Sequence, residues 1–123
     1  ASCLVGSEMC IRDSFISDNV YIAYGNWFCA GEEILIEDEV MFGPNSVIVS
    51  SNHTKINGSF RYGPITEKKI IIEIGSWIGA NCSILAGSQI GAGSVISANS
   101  VTYKPVPKNS KYMMGNMRII DND

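Results

Sequence analysis

The sequence contains one histidine, His53, in the stretch IVSSNHTKINGSF that runs from Ile48 to Phe60. An imidazole titrates near neutral pH, so it can take a proton from a hydroxyl group and later return it. His53 stands where a regular pattern of residues gives way to a polar stretch, and loops on rigid scaffolds often carry function. Two interpretations of His53 are open at this point: a general base, or a turn histidine that only bonds a backbone group.

The cysteines offer no second nucleophile that is paired with this base. Cys29 and Cys82 are far apart in sequence and form no CxxC pair. Neither cysteine adjoins His53, so we expect no covalent intermediate on a cysteine. We interpret both residues as reduced, partly buried side chains of a cytoplasmic protein.

The composition limits the classes of function. The chain has 123 residues, a net charge of −3 and 46% hydrophobic residues, which is typical of one globular domain or part of one. An acidic chain of this kind is not generally attractive to nucleic acid or to anionic membranes. Its longest apolar runs, such as KKIIIEIG, are too short to span a bilayer. We therefore expect small-molecule partners, with no nucleic acid and no membrane insertion.

The strongest pattern in the sequence is a repeat of six residues, which we call a hexad. Successive hexads read IEIGSW, IGANCS, ILAGSQ, IGAGSV and ISANSV, from Ile72 to Val101. The same phase occurs upstream as IEDEVM, FGPNSV and IVSSNH, and as ISDNVY, IAYGNW and FCAGEE. The first residue of a hexad is large and apolar, and the fifth is usually small. This period fits a solenoid of short strands and tight turns, and it fits neither an amphipathic helix nor a simple alternating strand.

These hexads, with the closing VPKNS and GNMRII, resemble the hexapeptide-repeat acyltransferases, and most of all the sugar O-acetyltransferases. That group includes maltose and galactoside acetyltransferases and polysaccharide-modifying relatives. The resemblance covers residues 15 to about 120. It implies an all-β fold, a left-handed parallel β-helix of about four coils: 16–33, 36–53, 72–89 and 90–107. Residues 54–71 would form a loop extruded between the second and third coils.

The resemblance also implies an activity. It suggests an acetyl-CoA-dependent O-acetyltransferase that transfers the acetyl group directly to a hydroxyl of a sugar or polysaccharide precursor, with His53 as general base. It further implies a homotrimer with active sites between subunits, and no metal.

Other site residues follow from the resemblance. Trp77, at the end of its hexad, would face outward and bind substrate. Ala80 and Ala98 fall where backbone atoms of related enzymes pair with the pantetheine arm of coenzyme A. Lys104 and Arg118 match positions that meet the nucleotide phosphates, and cations suit a polyanion there.

The chain departs from the resembled pattern in the first coil. Many sugar acetyltransferases carry an acceptor-binding asparagine there, and the nearest equivalent in YIAYGNWF is Tyr24, with Asn26 two residues later. We treat Tyr24 and Asn26 as candidate acceptor-binding residues, and the departure leaves the identity of the acceptor open.

We divide the chain into three segments. Reverse translation of LVGSEMCIRD, residues 4–13, closely resembles a transposon-end adaptor used for DNA sequencing libraries. We interpret residues 1–14 as foreign to the protein, and the remainder as the C-terminal part of a longer protein. Residues 15–107 would form the β-helix domain with loop 54–71, and residues 108–123 a C-terminal tail.

Three alternatives to O-acetyl transfer were weighed. An N-acyltransferase of the same fold, acting on an amino sugar or another small amine, stays open and would be separated by acceptor profiling. A non-catalytic β-helix scaffold also stays open and predicts that His53 is dispensable. A relative of the γ-type carbonic anhydrases needs three histidine ligands for zinc, and one histidine in each chain excludes it.

Overall fold

The computed structural model describes residues 9–10, 14–114 and 116–119. The predicted foreign segment 1–14 therefore lies almost entirely outside the described residues. Every regular element in the described part of the chain is a strand, and no helix there is long and apolar enough to cross a membrane.

Apart from two hairpin strands, the strands form three sheets, which are the three faces of a β-helix. All pairs in these sheets are parallel except the pair formed by the last two strands. Face 1 contains β2 (Phe15–Ile16), β5 (Ile34–Ile36), β10 (Ile70–Ile72), β13 (Gln89–Ile90) and β16 (Pro105–Val106). Face 2 contains β3 (Tyr21–Ile22), β6 (Met41–Phe42), β11 (Trp77–Ile78), β14 (Val95–Ile96), β17 (Ser110–Met113) and β18 (Asn116–Ile119). Face 3 contains β1 (Met9–Cys10), β4 (Trp27–Cys29), β7 (Val47–Val49), β12 (Ser83–Leu85) and β15 (Val101–Thr102). The chain visits the faces in this order, so the predicted left-handed parallel β-helix is confirmed.

The hexad phase sets the core. The first residue of each hexad points inward and stacks on its equivalent in the next coil, about 4.8 Å away. Ile72 pairs with Ile90, and Ile78 with Ile96, so one coil takes 18 residues. Fully buried large side chains at this position are Phe28, Ile36, Phe42, Ile48, Ile72, Ile78, Ile84, Ile90 and Ile96. Where two aromatic residues meet, Phe28 and Phe42 pack edge to face with ring centroids 5.4 Å apart.

The corner between faces 2 and 3 turns through a left-handed residue in each coil. Asn45, Asn81 and Asn99 occupy this position with φ of 62°, 56° and 64°, and Gly25 occupies it in the first coil. Asparagine and glycine tolerate this conformation better than other residues. The next residue in each coil is the buried fifth hexad position, and its side chain links neighbouring coils. Ser46 Oγ, for example, donates to Gly79 O at 2.9 Å.

The helix continues past residue 107. Val106 in β16 stacks on Ile90, and Tyr112 in β17 stacks on Ile96, so a fifth, partial coil begins two residues early. β18 then folds back antiparallel to β17. The segment that we expected as a tail, 108–123, thus begins with a strand of the β-helix.

The extruded loop is a β-hairpin. β8 (Ser51–His53) pairs antiparallel with β9 (Ile65–Glu67), between the second and third coils as predicted. Its tip is a two-residue turn at Asn57 and Gly58, with φ of 48° and 78°, closed by the bridge between Ile56 and Ser59. An Asn-Gly turn with two positive φ angles is the preferred connection of a tight hairpin. The predicted loop, residues 54–71, is two residues too long at its C-terminal end, because β10 begins at Ile70.

Candidate active site

His53 lies at the base of the hairpin, at the end of β8. Its Cα is opposite that of Ile65 in β9, and its side chain is exposed. The imidazole has no hydrogen-bond partner within the described part of the chain. Ser50 anchors this corner from the inside, because its hydroxyl donates to Glu32 O at 2.7 Å. The backbone around His53 is therefore fixed while the ring remains available to a ligand or to another chain.

A groove of about 590 Å³ runs along face 2 and around the corner between faces 2 and 3. Trp77, Ala80 and Ala98, three of the predicted site residues, line it together. The Trp77 ring faces outward and is 53% exposed, as its place at the end of a hexad predicts. The remaining lining residues are Gly79, Val95, Ile96, Ser97 and Lys111, so the groove is mainly apolar with one cation.

Two backbone amides in this groove are free. The N–H groups of Ala80 and Ala98 donate no hydrogen bond within the described residues. They occupy equivalent places in successive coils, about 4.8 Å apart along the helix axis. A Cβ added at Gly79 would lie 2.6 Å from Ala98 N, so only glycine leaves room for this approach. The groove therefore offers two donors to an extended ligand that carries amide or carbonyl groups.

Two cations lie near the C-terminal end of the groove. Lys111 in β17 lines the groove, and Arg118 in β18 is its cross-strand neighbour. Arg118 was predicted from the sequence, and Lys111 was not. The signal for Lys111 was its spacing of six residues, one hexad, from Pro105 on face 1. Once the fifth coil is recognised, this spacing places Lys111 among the outward-facing residues of face 2.

Lys104 is separated from the other predicted cofactor residues. It lies at the corner between faces 3 and 1, the same corner that carries the hairpin, and its ammonium lies 5.2 Å from the ring centroid of Tyr103. It lines a different groove, of about 380 Å³, with Tyr103, Tyr112 and Met114. The structure therefore places Lys104 on the side of His53, and not on the side of Trp77.

The two candidate acceptor residues have different environments. Tyr24 is 69% exposed and occupies the same position in its coil as Ala80 and Ala98 do in theirs. Asn26 is fully buried. Its amide donates to Ala23 O at 2.7 Å and Gly43 O at 2.9 Å, and it accepts from Ser46 N at 3.1 Å. The side chain of Asn26 holds the first two coils together, which removes it from the candidate site.

His53 and the groove lie on different corners of the same chain. His53 is not among the residues that line the groove, and face 3 separates the hairpin from Ala80 and Ala98. One chain thus presents two separate groups of candidate residues: an exposed imidazole with Lys104 at one corner, and an apolar groove with free amides at another.

Comparison with known proteins agrees with this architecture. Residues 69–104 match the family described as bacterial transferase hexapeptide (six repeats). These residues are therefore similar to the hexapeptide repeats of bacterial transferases, and the fold of the chain is a β-helix of hexapeptide repeats.

Several acetyltransferases resemble this hexapeptide-repeat protein. It is 38% identical over 77 residues to a galactoside O-acetyltransferase of Lactococcus lactis, which is 63% of this chain and 37% of that protein. It is 29% identical over 109 residues to the putative lipopolysaccharide biosynthesis O-acetyl transferase WbbJ of Escherichia coli, which is 78% of this chain and 54% of that protein. The chain thus spans between about a third and a half of these relatives' lengths.

A solved structure is similar over nearly the whole chain. It is a hexapeptide-repeat-containing acetyltransferase from Vibrio cholerae in complex with acetyl coenzyme A. The TM-score is 0.80 at 28% sequence identity, and the match covers 96% of this chain and 71% of that one.

Cys82, the buried thiol of the repeat region, is not prepared for nucleophilic attack. Burial raises the pKa of the Cys82 thiol, and hydrogen bonds from the surrounding backbone and from Ser46 only partly offset this effect. The thiol contacts Ser97 O at 3.2 Å, in the interior of the corner. Because the reactive species is the thiolate, Cys82 is a structural residue.

Proposed function

We propose that this hexapeptide-repeat protein is an O-acetyltransferase that transfers the acetyl group of acetyl-CoA to a sugar hydroxyl. The observation that carries the proposal is the groove of face 2, in which free amides at Ala80 and Ala98 lead to Lys111 and Arg118. Coenzyme A has the matching order of groups: a thioester, an arm with amides, and a polyanionic nucleotide.

The fit to acetyl-CoA can be followed along the groove. Amide and carbonyl groups of the arm would meet the N–H groups of Ala80 and Ala98, which are otherwise unsatisfied. The phosphates would meet Lys111 and Arg118, since charge-assisted hydrogen bonds to phosphate are among the strongest in proteins. Trp77 would bound the end where the thioester lies. The acetyl-CoA complex of the similar Vibrio cholerae structure supports this assignment.

The chemistry requires a base beside the acceptor hydroxyl. In our proposal the His53 imidazole takes the hydroxyl proton while the hydroxyl oxygen attacks the thioester carbonyl carbon. The tetrahedral intermediate then breaks its bond from carbon to sulfur. The departing thiolate takes the proton back from the imidazolium, which leaves the acetyl ester, free coenzyme A and neutral His53.

A second copy of the chain would complete the site. Because His53 and Lys104 share one corner and Trp77 lies on another face, we propose a homotrimer in which the hairpin corner of one subunit faces the groove of the next. Lys104 would then reach the nucleotide from across the interface. Exposed apolar residues on face 3, Trp27, Val47 and Val101, support such an assembly.

The acceptor class rests on the relatives and on Tyr24. The names of the two similar transferases refer to a galactoside and to lipopolysaccharide biosynthesis, which favours a sugar acceptor. Tyr24 lies in the same axial row as Ala80, two coils away and so about 9–10 Å along the helix axis. This position is on the acceptor side of the groove, away from Lys111.

The test is thiol release from acetyl-CoA in the presence of a panel of sugars and amines, for the protein and for His53→Ala. We expect release that depends on a sugar acceptor and falls at least about 100-fold in the variant, the usual loss when a general base is removed. Light scattering should report three chains.

Each other outcome has a defined meaning. Equal release in both proteins would refute the role of His53. Release with amines but not sugars would replace O-transfer by N-transfer. An intact trimer that releases no thiol with any acceptor would refute the enzymatic function.

A further inference from the structure

The hairpin differs in charge from the remainder of the molecule. We define the basic hairpin as residues 51–69. It carries four cations, Lys55, Arg61, Lys68 and Lys69, against one carboxylate, Glu67, which gives a net charge of +3. The whole chain has a net charge of −3, so the remaining residues carry −6. The positive charge is therefore concentrated on the element that presents His53.

These cations are not neutralised by the protein. None of the four forms an ion pair within the described residues, although Glu32 and Glu33 lie on the first coil at the same corner. Two are held in place by aromatic rings instead. Lys55 Nζ lies 5.8 Å from the ring centroid of Phe60, and the Arg61 guanidinium lies 5.2 Å from that of Tyr62. A cation held over a ring keeps its N–H donors available to a ligand.

The aromatic residues of the hairpin are themselves unpacked. Phe60 is 58% exposed and Tyr62 is 77% exposed. Large exposed rings next to fixed cations form a surface with an apolar face and an anion-binding edge. A sugar ring with an acidic substituent has the complementary shape: a C–H face that packs on an aromatic ring and a carboxylate or phosphate that meets a cation.

The hairpin is constructed to hold this surface in place. The N–H of Thr54 donates to Pro64 O at 3.2 Å, and its hydroxyl donates to the same oxygen. Below it, the N–H of Lys68 donates to Ser50 O at 3.0 Å, which ties the exit of the hairpin to the corner of the coil. The backbone that carries the cations is thus fixed relative to His53.

Lys55 is within reach of the proposed chemistry. It follows His53 by two residues, so their Cα atoms are at most about 7 Å apart. The chain between them is paired across the hairpin at Thr54, and residues two apart in an extended chain lie on the same side. An anionic group bound by Lys55 would place a neighbouring hydroxyl beside the imidazole.

We propose that the basic hairpin selects an acidic sugar as acceptor, one that carries a carboxylate or a phosphate near the hydroxyl to be acetylated. This inference rests on the proposed O-acetyltransferase function and adds the substrate class. The coenzyme A phosphates are assigned to cations at the C-terminal end of the stack: Lys111, Arg118 and, from the neighbouring subunit, Lys104. The hairpin leaves the stack between the second and third coils, so its cations are left for the acceptor.

The experiment uses three matched probes: galactose, galacturonic acid and galactose 1-phosphate. Acetyl-CoA is kept saturating, kcat/KM is measured for each probe, and binding of each probe is measured separately by calorimetry. The variants are Lys55→Gln, Arg61→Gln and their combination. The control is Lys108→Gln, which removes an exposed cation from the corner between faces 1 and 2, outside the hairpin and the groove.

We expect kcat/KM to be at least about tenfold higher for one of the acidic sugars than for galactose. The double variant should lose about three- to tenfold of that advantage, the range for two exposed charge contacts. Raising the salt concentration should diminish the advantage in the protein and not in the double variant. Lys108→Gln should behave as the parent protein. Comparing kcat/KM for galacturonic acid with that for galactose 1-phosphate shows whether the hairpin prefers a carboxylate or a phosphate.

The results that would overturn the inference are separate from those that would overturn the enzymatic function. Equal kcat/KM for acidic and neutral sugars would refute it, as would variants that raise the KM of acetyl-CoA or change the number of chains in the assembly. If no acceptor supports thiol release, the proposed function fails. Calorimetric binding of acidic sugars that the double variant abolishes would then still support the hairpin site, and absence of such binding would refute it.

Discussion

At the scale of single residues, Tyr24 and Asn26 illustrate how the hexad decides what a polar side chain can do. Tyr24 is the third residue of its hexad and lies outside the corner, while Asn26 is the fifth and lies inside. Asn26 occupies the position that Ser46 and Cys82 occupy in the next two coils, and like them it bonds a carbonyl oxygen of the following coil. The polar side chain of Asn26 therefore stabilises the contact between coils.

We expect Asn26→Ala to destabilise the protein by about 3 kcal/mol. The change removes two donors and leaves the buried Ser46 N–H without an acceptor, and each unsatisfied buried group costs about 1–3 kcal/mol. The measurement is the urea midpoint at constant m-value.

Tyr24→Ala is the matched control, because this exposed side chain contributes within about 0.5 kcal/mol to stability. It should instead raise the acceptor KM. If Asn26→Ala kept the parent midpoint and raised the acceptor KM, the buried placement of Asn26 would be wrong.

The position of Asn26 could have been read from the sequence. The fifth residue of a hexad is usually small, and the phase places Asn26 at this position. A resemblance at the level of residue type outweighed that positional rule. Lys111 was missed for the opposite reason, because the phase shift before Val106 hid the fifth coil. A contraction of two residues in one corner is visible only after the strands have been paired.

At the scale of elements, the hairpin is the feature that hexad phase alone could not predict. Periodicity marked where the repeat stops at His53, and it gave no structure to the residues that follow. The Asn57-Gly58 pair is a local signal for a tight turn, and two such residues with positive φ set the register of the tip. Gly63 completes the element, because a Cβ there would collide with the carbonyl group of Thr54.

We expect Gly63→Ala to open the hairpin and leave the β-helix intact. The methyl group cannot be accommodated while Thr54 remains bonded to Pro64, so the strands β8 and β9 must separate. Hydrogen exchange should show faster exchange of the hairpin amides. The free energy of unfolding of the protein, measured in urea, should stay within about 0.5 kcal/mol of the parent value. Acceptor-dependent activity should fall, since His53 would lose its fixed position.

Gly58→Ala provides a graded comparison. Nothing lies within 4 Å of a Cβ at Gly58, so the cost there is only that of an L-residue at φ of 78°. That cost is about 1 kcal/mol, and the hairpin should loosen less than in Gly63→Ala. Equal exchange rates in both variants and in the parent would show that close packing at Gly63 does not hold the hairpin.

At the scale of the whole molecule, the sequence predicts a stack better than it predicts a site. Stacking repeats the same contact in every coil, so many hexads carry the same sequence signal, and the buried row from Ile72 to Ile96 was placed correctly. A functional site is not repeated in this way, so it has no such repeated signal. Trp77, Ala80 and Ala98 line one groove, and each holds a definable hexad position, whereas the separation of Lys104 from them depends on the corner at which it lies.

A stack of coils should also open unevenly, because each coil contacts only its neighbours. The N–H groups of Tyr21, Met41 and Trp77 make equivalent bonds to the next coil, with donor–acceptor distances of 3.0, 2.9 and 2.9 Å. Their surroundings differ: Ile22 beside Tyr21 is half-buried, whereas Phe42 and Ile78 are fully buried. If hydrogen-bond length decided protection from hydrogen exchange, the three amides would be equally protected. If the packing of each coil decides it, protection should rise from the first coil to the third.

We expect native-state hydrogen exchange to follow the packing, with the Tyr21 amide exchanging at least about thirtyfold faster than the Trp77 amide. This ratio corresponds to a free energy of opening that is about 2 kcal/mol lower for the first coil than for the third. Substituting Ile84 by Ala, in the third coil, should cost about 2–5 kcal/mol and bring the Trp77 amide towards the rate of Tyr21, because Ile84 is fully buried between the second and fourth coils. Identical rates at all three amides, before and after that substitution, would mean that the β-helix opens as one unit, and that the contacts between coils are coupled over the whole length of the stack.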